Sequence, residues 1–327
     1  MTDGAITVNG ISKGKVLLVG EPMCLFTAEQ EGPMSEVPTW GASVAGAELN
    51  VAIGLQRLGQ HPVYMTKLGD DPMAERILQF MQRNGLDTSL AATDPTHLTG
   101  FMLKSKVSQG DPKTAYWRRN SAASTISSDD VRALDWSGVS LMHLTGILPP
   151  LSTLEASSVL VDEAHAHGAY VSFDPNLRPA LWPSADVMRD TLRMLASKSD
   201  MILPGIGEGK ELFGVETVED TAKAFLDNGA KLVVVKDGPR GAYASNGETS
   251  VRVPGFVVDH VVDTVGAGDG FAAGTLSALL EGKDLATAME RGCALGAIQT
   301  QHVSDNEGLP TPNELVEFMA SHKRVEL

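Results

Sequence analysis

The stretch DTVGAGDGFAAGTL, Asp263–Leu276, packs Gly266, Gly268 and Gly270 around one carboxylate, Asp269, and then runs on as an apolar helix. Glycines let the backbone turn tightly, and the free N–H groups that open a helix favour an anion. The N–H groups of Ala267, Gly268 and Asp269 are expected to converge on one oxygen cluster. Asp269 is then either a helix cap or a group that acts on whatever the turn holds. Its flanking glycines and its position at a strand tip favour the second reading. Two familiar nucleotide patterns are absent. PGIGEGKE (204–211) has Pro204 and Glu211 where a P-loop needs Gly and Ser or Thr, and GAGDGF has Phe271 where G-x-G-x-x-G needs its last Gly. The missing G-x-G-x-x-G argues against a dinucleotide oxidoreductase. His165 and His167 lie two residues apart, so they do not share a helix face.

The elements that must position this turn alternate along the chain. Apolar, β-rich runs at 15–21, 62–69, 140–146, 169–176, 200–205 and 231–238 read as buried strands, and amphipathic stretches at 46–58, 72–84, 153–166 and 218–228 read as helices. That order predicts an α/β fold, a mostly parallel sheet covered by helices. The strands end in polar or glycine residues: Glu21, Gly69-Asp70, Thr145-Gly146, Asp174 with Asn176, Gly205, and Lys236-Asp237-Gly238. Ligands of open α/β sheets bind beyond such ends. Segments 22–44 and 98–120 break the alternation as strand–turn–strand pieces, the second with a QGDP hairpin turn, and are expected to form a small sheet that covers the ligand end as a lid. The domain is expected over 15–327, behind a flexible tail at 1–14.

Composition bounds the function. A net charge of −15 argues against non-specific nucleic-acid binding, which needs Lys and Arg on phosphates. No apolar run reaches the length of a membrane helix, and the first residues lack the basic start and apolar centre of a secretory signal. Two cysteines, Cys24 and Cys293, far apart among 327 residues, suit a reducing cytoplasm. An exposed lid could pair with a copy of itself, giving a homo-oligomer.

DTVGAGDGF resembles the C-terminal signature of the ribokinase-like (PfkB) carbohydrate kinases, and the likeness runs from about residue 15 to the C-terminus. It implies a three-layer α/β/α fold with a small β-sheet lid. The turn at Gly266, Ala267 and Gly268 becomes an anion hole for the transferred phosphoryl group, and Asp269 the general base that takes the sugar hydroxyl's proton. AGAELNVAIGLQRLG (45–59) resembles the family's N-terminal Gly-Gly-x-x-x-Asn helix start, carrying over Gly46 and Asn50, with Ala45 where the first Gly is usual. VVVKDGPRGAYA (233–244) resembles the strand and turn flanking ATP, with Lys236, Gly238 and Gly241 matching. The helix near Cys293–Ala297 is expected beside the adenine. Of the Asn-x-x-Glu pair that organises the Mg²⁺ water shell, Glu208 is present and Gly205 stands at the Asn position. Some relatives also bind a monovalent cation near the counterparts of Asp263 and Val265.

Within the family, GEPM, TGF, YWRRNSAAS, HLTGILP and DPNLRPALW are most similar to 2-keto-3-deoxygluconate kinases. The resemblance implies that Tyr116 and Arg118 reach the substrate from the lid, and that Ile147 and Arg178 complete the pocket. Arginine offers a planar, bidentate match to a sugar acid's carboxylate. Met102 stands where some of these kinases place a substrate-contacting Tyr. Other readings of the same residues stay open: Arg118 and Arg119 as solvated edge charges, Arg178 as a partner of Asp174, and only one of Tyr116 and Trp117 facing the pocket. A fructokinase or other sugar kinase, and a non-catalytic sugar- or nucleotide-responsive binding protein on the same scaffold, are the alternative functions.

Overall fold

Alternate residues of β1 (Lys15–Val19) enter opposite cores: Val16 and Leu18 pack on one side of the sheet, Leu17 and Val19 on the other. β11 (Leu232–Lys236) divides in the same way, with Leu232 and Val234 against Val233 and Val235. This is what a strand covered on both faces requires. One side is closed by the helices Ala47–Arg57, Pro72–Arg83, Ala267–Leu280, Leu285–Gln299 and Pro312–Ser321, the other by Leu154–Ala166, Ala185–Lys198 and Val218–Asp227. Each fully buried Leu or Phe contributes about 1.5–3 kcal/mol to holding these three layers together. The structure, a computed structural model, describes residues 6, 8–107 and 112–326.

The remaining strands are β2 (Met23–Glu31), β3 (Trp40–Ala45), β4 (His61–Gly69), β5 (Ala91–Asp94), β6 (Phe101–Lys106), β7 (Thr114–Trp117), β8 (Val139–Thr145), β9 (Tyr170–Asp174), β10 (Met201–Ile202), β12 (Gly241–Ser245) and β13 (Ser250–Pro254). The main sheet has nine strands in the order β13-β12-β11-β10-β9-β8-β1-β4-β5. It is parallel from β5 to β11, with β12 and β13 added antiparallel. The second sheet has four strands in the order β3-β2-β6-β7.

All six expected strands and all four expected helices form, mostly within one or two residues of the expected ends. The run at 200–205 shrinks to the two residues of β10. β5, β12 and β13 escaped the sequence reading. The segments 22–44 and 98–120 supply the small sheet; of its QGDP turn, Gln109, Gly110 and Asp111 lie outside the described residues. The first residues are not all loose: Ile6 is 5% exposed within the core, its carbonyl accepts from the Leu285 N–H, and Val8 and Ile11 pack beside it.

Candidate active site

Two cavities meet over the carboxyl ends of the parallel strands. The first, of about 510 Å³, is lined from the small sheet by Met23, Ala45, Met102, Lys104, Tyr116 and Arg118, and from the main body by Gly46, Asn50, Ile147, Asp174, Asn176, Arg178, Glu208, Gly266 and Asp269, among others. The second, of about 390 Å³, is lined by Gly238, Pro239, Gly241, Phe256, Val258, Ala267, Phe271, Cys293, Gly296, Ala297 and others. Lys236, Thr264 and Gly268 border both. Every expected sugar-side residue therefore faces one space, and Gly238, Gly241 and the 293–297 helix turn face its neighbour. Of the strand ends expected to face a ligand, Asp174, Asn176, Lys236 and Gly238 line these cavities, whereas Glu21, Gly69-Asp70, Thr145-Gly146, Gly205 and Asp237 line neither.

The helix Ala267–Leu280 starts from Gly266 at φ 79°, and a Cβ there would come 2.1 Å from the Asp305 carbonyl oxygen. Only glycine suits both the left-handed backbone and that approach. Most helices of the molecule are capped by a side chain, as Asp71 caps the helix Pro72–Arg83 through the Ala74 N–H, but this one has no side-chain cap. Among the described residues the N–H groups of Gly266, Gly268 and Asp269 have no protein partner, whereas that of Ala267 donates to the Thr264 carbonyl at 3.3 Å. Closing the turn at Gly266 brings the Thr264 oxygen onto Ala267. Of the anion turn expected over 266–269, the N–H groups of Gly266, Gly268 and Asp269 therefore remain as free donors at the cavity among the described residues.

Asp269 sits in the first turn of that helix. Asn50 Nδ2 donates to its Oδ2 at 2.8 Å, while Asn306 Nδ2 donates to Asn50 Oδ1 at 2.8 Å and to the Val44 carbonyl at 2.9 Å. Asn306, 1% exposed, therefore fixes which way the Asn50 amide faces. Burial pushes the Asp269 carboxyl up to about 7, with nearby Asp174 adding to the rise and Asn50, Arg178 and Lys236 opposing it. A carboxyl balanced near neutrality is suited to accept a proton during turnover.

Lys236, at the end of β11, donates to Asp174 Oδ2 at 2.5 Å. Burial alone would lower its ammonium, but the Asp174 and Glu208 charges outweigh burial and hold it above the usual lysine value. Asp174 is thereby paired with Lys236, not with Arg178, whose only hydrogen bond among the described residues is to the Leu177 carbonyl. Arg178 is exposed at the cavity wall without a carboxylate in salt-bridge contact among the described residues. Arg118 is no solvated edge charge: it is 5% exposed, and its Nε donates to Glu21 Oε2 at 2.5 Å, with Ser121 Oγ on the other Glu21 oxygen. Arg119 is exposed. Tyr116 faces the cavity, while Trp117 points the opposite way and stacks on Phe101 with ring centroids 4.9 Å apart.

Glu208 accepts the Gly205 N–H at 2.5 Å and the Leu177 N–H at 3.3 Å, closing the first turn of the helix Ile206–Phe213. Burial raises its carboxyl above the usual value, and Lys236 partly offsets this. No group of three or more His, Cys, Asp or Glu with metal-binding geometry occurs among the described residues. Ala45, 1% exposed, and Met102, 5% exposed, form the apolar floor with Met23 and Leu25. Beside Asp263, where the resemblance implied a cation, stands Lys104, whose Nζ donates to Asp263 Oδ2 and, at 3.3 Å, to Asp305 Oδ1.

Residues 13–312 match the pfkB family of carbohydrate kinases. The chain belongs to that family. It is accordingly a sugar kinase, a phosphotransferase with an alcohol group as acceptor. It is 41% identical over 309 residues to the 2-dehydro-3-deoxygluconokinase of Bacillus subtilis, covering 94% of this chain and 95% of that protein. A PfkB protein structure from Polaromonas sp. JS666 superposes with a TM-score of 0.83 at 42% identity, over 93% of this chain and 99% of that one. A putative ribokinase II from E. coli in complex with ATP and Mg²⁺ superposes with a TM-score of 0.85 at 26% identity, over 94% of this chain and 100% of that one.

Three features of the pfkB site escaped the sequence reading. Asp174, a strand end offered by the sequence as a partner for Arg178, pairs with Lys236 instead. Asn306 and Asp305 lie in SDNEG, which carries only turn chemistry on its face. Lys104 sits in FMLKSK, where strand alternation puts it on the same face as Met102. An inward lysine in that strand was the available signal.

Proposed function

We propose that the chain transfers the γ-phosphoryl group of ATP to the 6-hydroxyl of 2-keto-3-deoxygluconate. The observation that carries this is the meeting of the two cavities at Lys236 and Gly268, with a carboxyl titrating near neutrality on one side and free N–H groups at the junction. Gly46, Asn50, Tyr116, Ile147 and Arg178 hold the sugar acid, and Arg178 meets its carboxylate. Arg118 is a weaker candidate for that role, because Glu21 already balances its charge; its terminal nitrogens remain as donors to sugar hydroxyls. Asp269 accepts the proton of the attacking hydroxyl, which is typically worth about 10²–10⁴-fold. The Gly268 and Asp269 N–H groups and Lys236 receive the charge of the moving phosphoryl group, and positioning with electrostatics supplies most of the remaining acceleration.

Gly238, Gly241 and the turn at Cys293–Ala297 shape the nucleotide cavity. Bound Mg²⁺ would neutralise phosphate charge, and Glu208 suits contact through water: its oxygens already take backbone N–H groups, and no acidic cluster among the described residues stands ready to bind the metal directly. The small sheet acts as a lid that excludes water. Both thiols are free and buried, which accords with a cytoplasmic enzyme, and the outward Trp117 offers a surface for pairing lids. An ATP-coupled panel of sugar acids and neutral ketoses tests the reading. Turnover of the keto-deoxy sugar acid with a kcat/KM at least tenfold above fructose is expected. A preference for a neutral ketose refutes the substrate, and no turnover of any sugar refutes catalysis.

A further inference from the structure

Lys104 is the fourth residue of β6 and belongs to the lid, yet its ammonium lies in the main body, bonded to Asp263 and Asp305. All three side chains are buried: Lys104 is 3% exposed, Asp263 9% and Asp305 7%. Two carboxylates this close and this dry need a cation, since leaving either uncompensated costs several kcal/mol. Both belong to the machinery around the anion turn. Asp263 Oδ1 accepts the Val265 N–H at 3.0 Å, one residue before Gly266. The Asp305 backbone is what Gly266 packs against, and its neighbour Asn306 orients Asn50 on Asp269.

We propose that Lys104 is a tethered cation which positions the anion turn, so that turnover needs no free monovalent cation and an ordered turn requires a seated lid. The ammonium ties the strand that carries Met102 and the lid side of the sugar cavity to both chain segments flanking the turn. Lid seating and completion of the phosphoryl-receiving site are then one event. Lys104 touches no reacting atom; it acts through Asp263 and Asp305. The inference rests on the kinase reading above, and its failure is told apart from that reading's failure because wild-type turnover is measured first.

The test uses the whole enzyme with ATP and the best sugar of the panel, in buffer whose sodium and potassium are replaced by tetramethylammonium. Wild type is expected to keep its kcat within about twofold when potassium or ammonium chloride is added. Lys104→Ala is expected to lose at least tenfold in kcat, with a smaller change in the KM for ATP. Ammonium, methylammonium or potassium chloride should restore several-fold of that loss, which a general loss of fold would not allow. The proposal is overturned by a wild-type kcat that rises more than fivefold on adding potassium. A Lys104→Ala enzyme with wild-type kcat overturns it too, as does a folded Lys104→Ala enzyme that no small cation restores. Should Lys104→Ala not fold, the wild-type cation response decides alone.

Discussion

Removing one hydrogen bond should move the pH at which this kinase switches on. Asn50 Nδ2 donates to Asp269 Oδ2 at 2.8 Å, and it is the largest of the influences that hold the Asp269 carboxyl down against burial. A hydrogen bond to an ionised group is worth about 1.5–3 kcal/mol, and one pKa unit corresponds to about 1.4 kcal/mol. Asn50→Ala therefore lifts the Asp269 carboxyl from about 7 toward roughly 8–9. As a general base Asp269 works only when ionised. The wild-type kcat/KM should fall along a slope-one limb below pH 7, and the variant's limb should appear one to two pH units higher, by the same estimate. At pH 7 about half of the wild-type carboxyls are ionised, against roughly a tenth to a hundredth in the variant. The loss in kcat/KM is then about 5–50-fold at pH 7 and much smaller at pH 9.5.

The assay is ADP release from an ATP-coupled reaction with the preferred sugar acid, taken as kcat/KM between pH 5.5 and 9.5. ATP titrates within this range too, but its ionisation is common to both enzymes and cancels in the difference. Lost sugar contacts in Asn50→Ala lower the whole curve without moving the limb. A limb that stays within about 0.3 of wild type refutes the coupling of Asn50 to the base. A wild-type limb near pH 4, the ordinary carboxylate range, refutes the elevated Asp269 itself.

Two further outcomes follow from the same geometry. Arg178→Ala should cost about 10–100-fold in kcat/KM for a sugar acid, the worth of one charge-assisted contact, and much less for a neutral ketose; equal losses on both, measured in the same coupled assay, would rule out carboxylate recognition. Asp269→Asn should lower kcat by about 10²–10⁴-fold while raising the melting temperature by several degrees at pH 8. The sign follows because a carboxyl raised by burial penalises the folded state increasingly as pH climbs from its unfolded value near 4 through 7. Scanning calorimetry at pH 5 and pH 8 should show the gain shrink at the lower pH, and a gain that is equal at both would falsify the linkage.

What the sequence disclosed and what it withheld divide along the distance between partners. Asp269 with its glycines, and Lys236 at its strand tip, announce themselves within a dozen residues, because a turn and a helix start are local events. The strands were legible for a related reason: β1 and β11, apolar on both faces, can only lie between two layers of helices. The rest of the site depends on pairings with no local sign. Glu21 lies two residues past β1 and looks like any polar strand tip, yet it neutralises Arg118, 97 residues away, and thereby changes what that arginine can do for a substrate. Asn306 reaches Asn50 across 256 residues, and Lys104 reaches Asp263 and Asp305 across 159 and 201. Lys104 nevertheless left a trace. Register sets Met102 opposite Tyr116 and Lys104 opposite Thr114, so alternation along β6 aims an ammonium at the same interior as a methionine. A charge pointed inward must find an opposite charge or it will not be tolerated. The strand pattern therefore implies that buried carboxylates lie opposite the lid, and only the closed fold shows that they are the two flanking the anion turn.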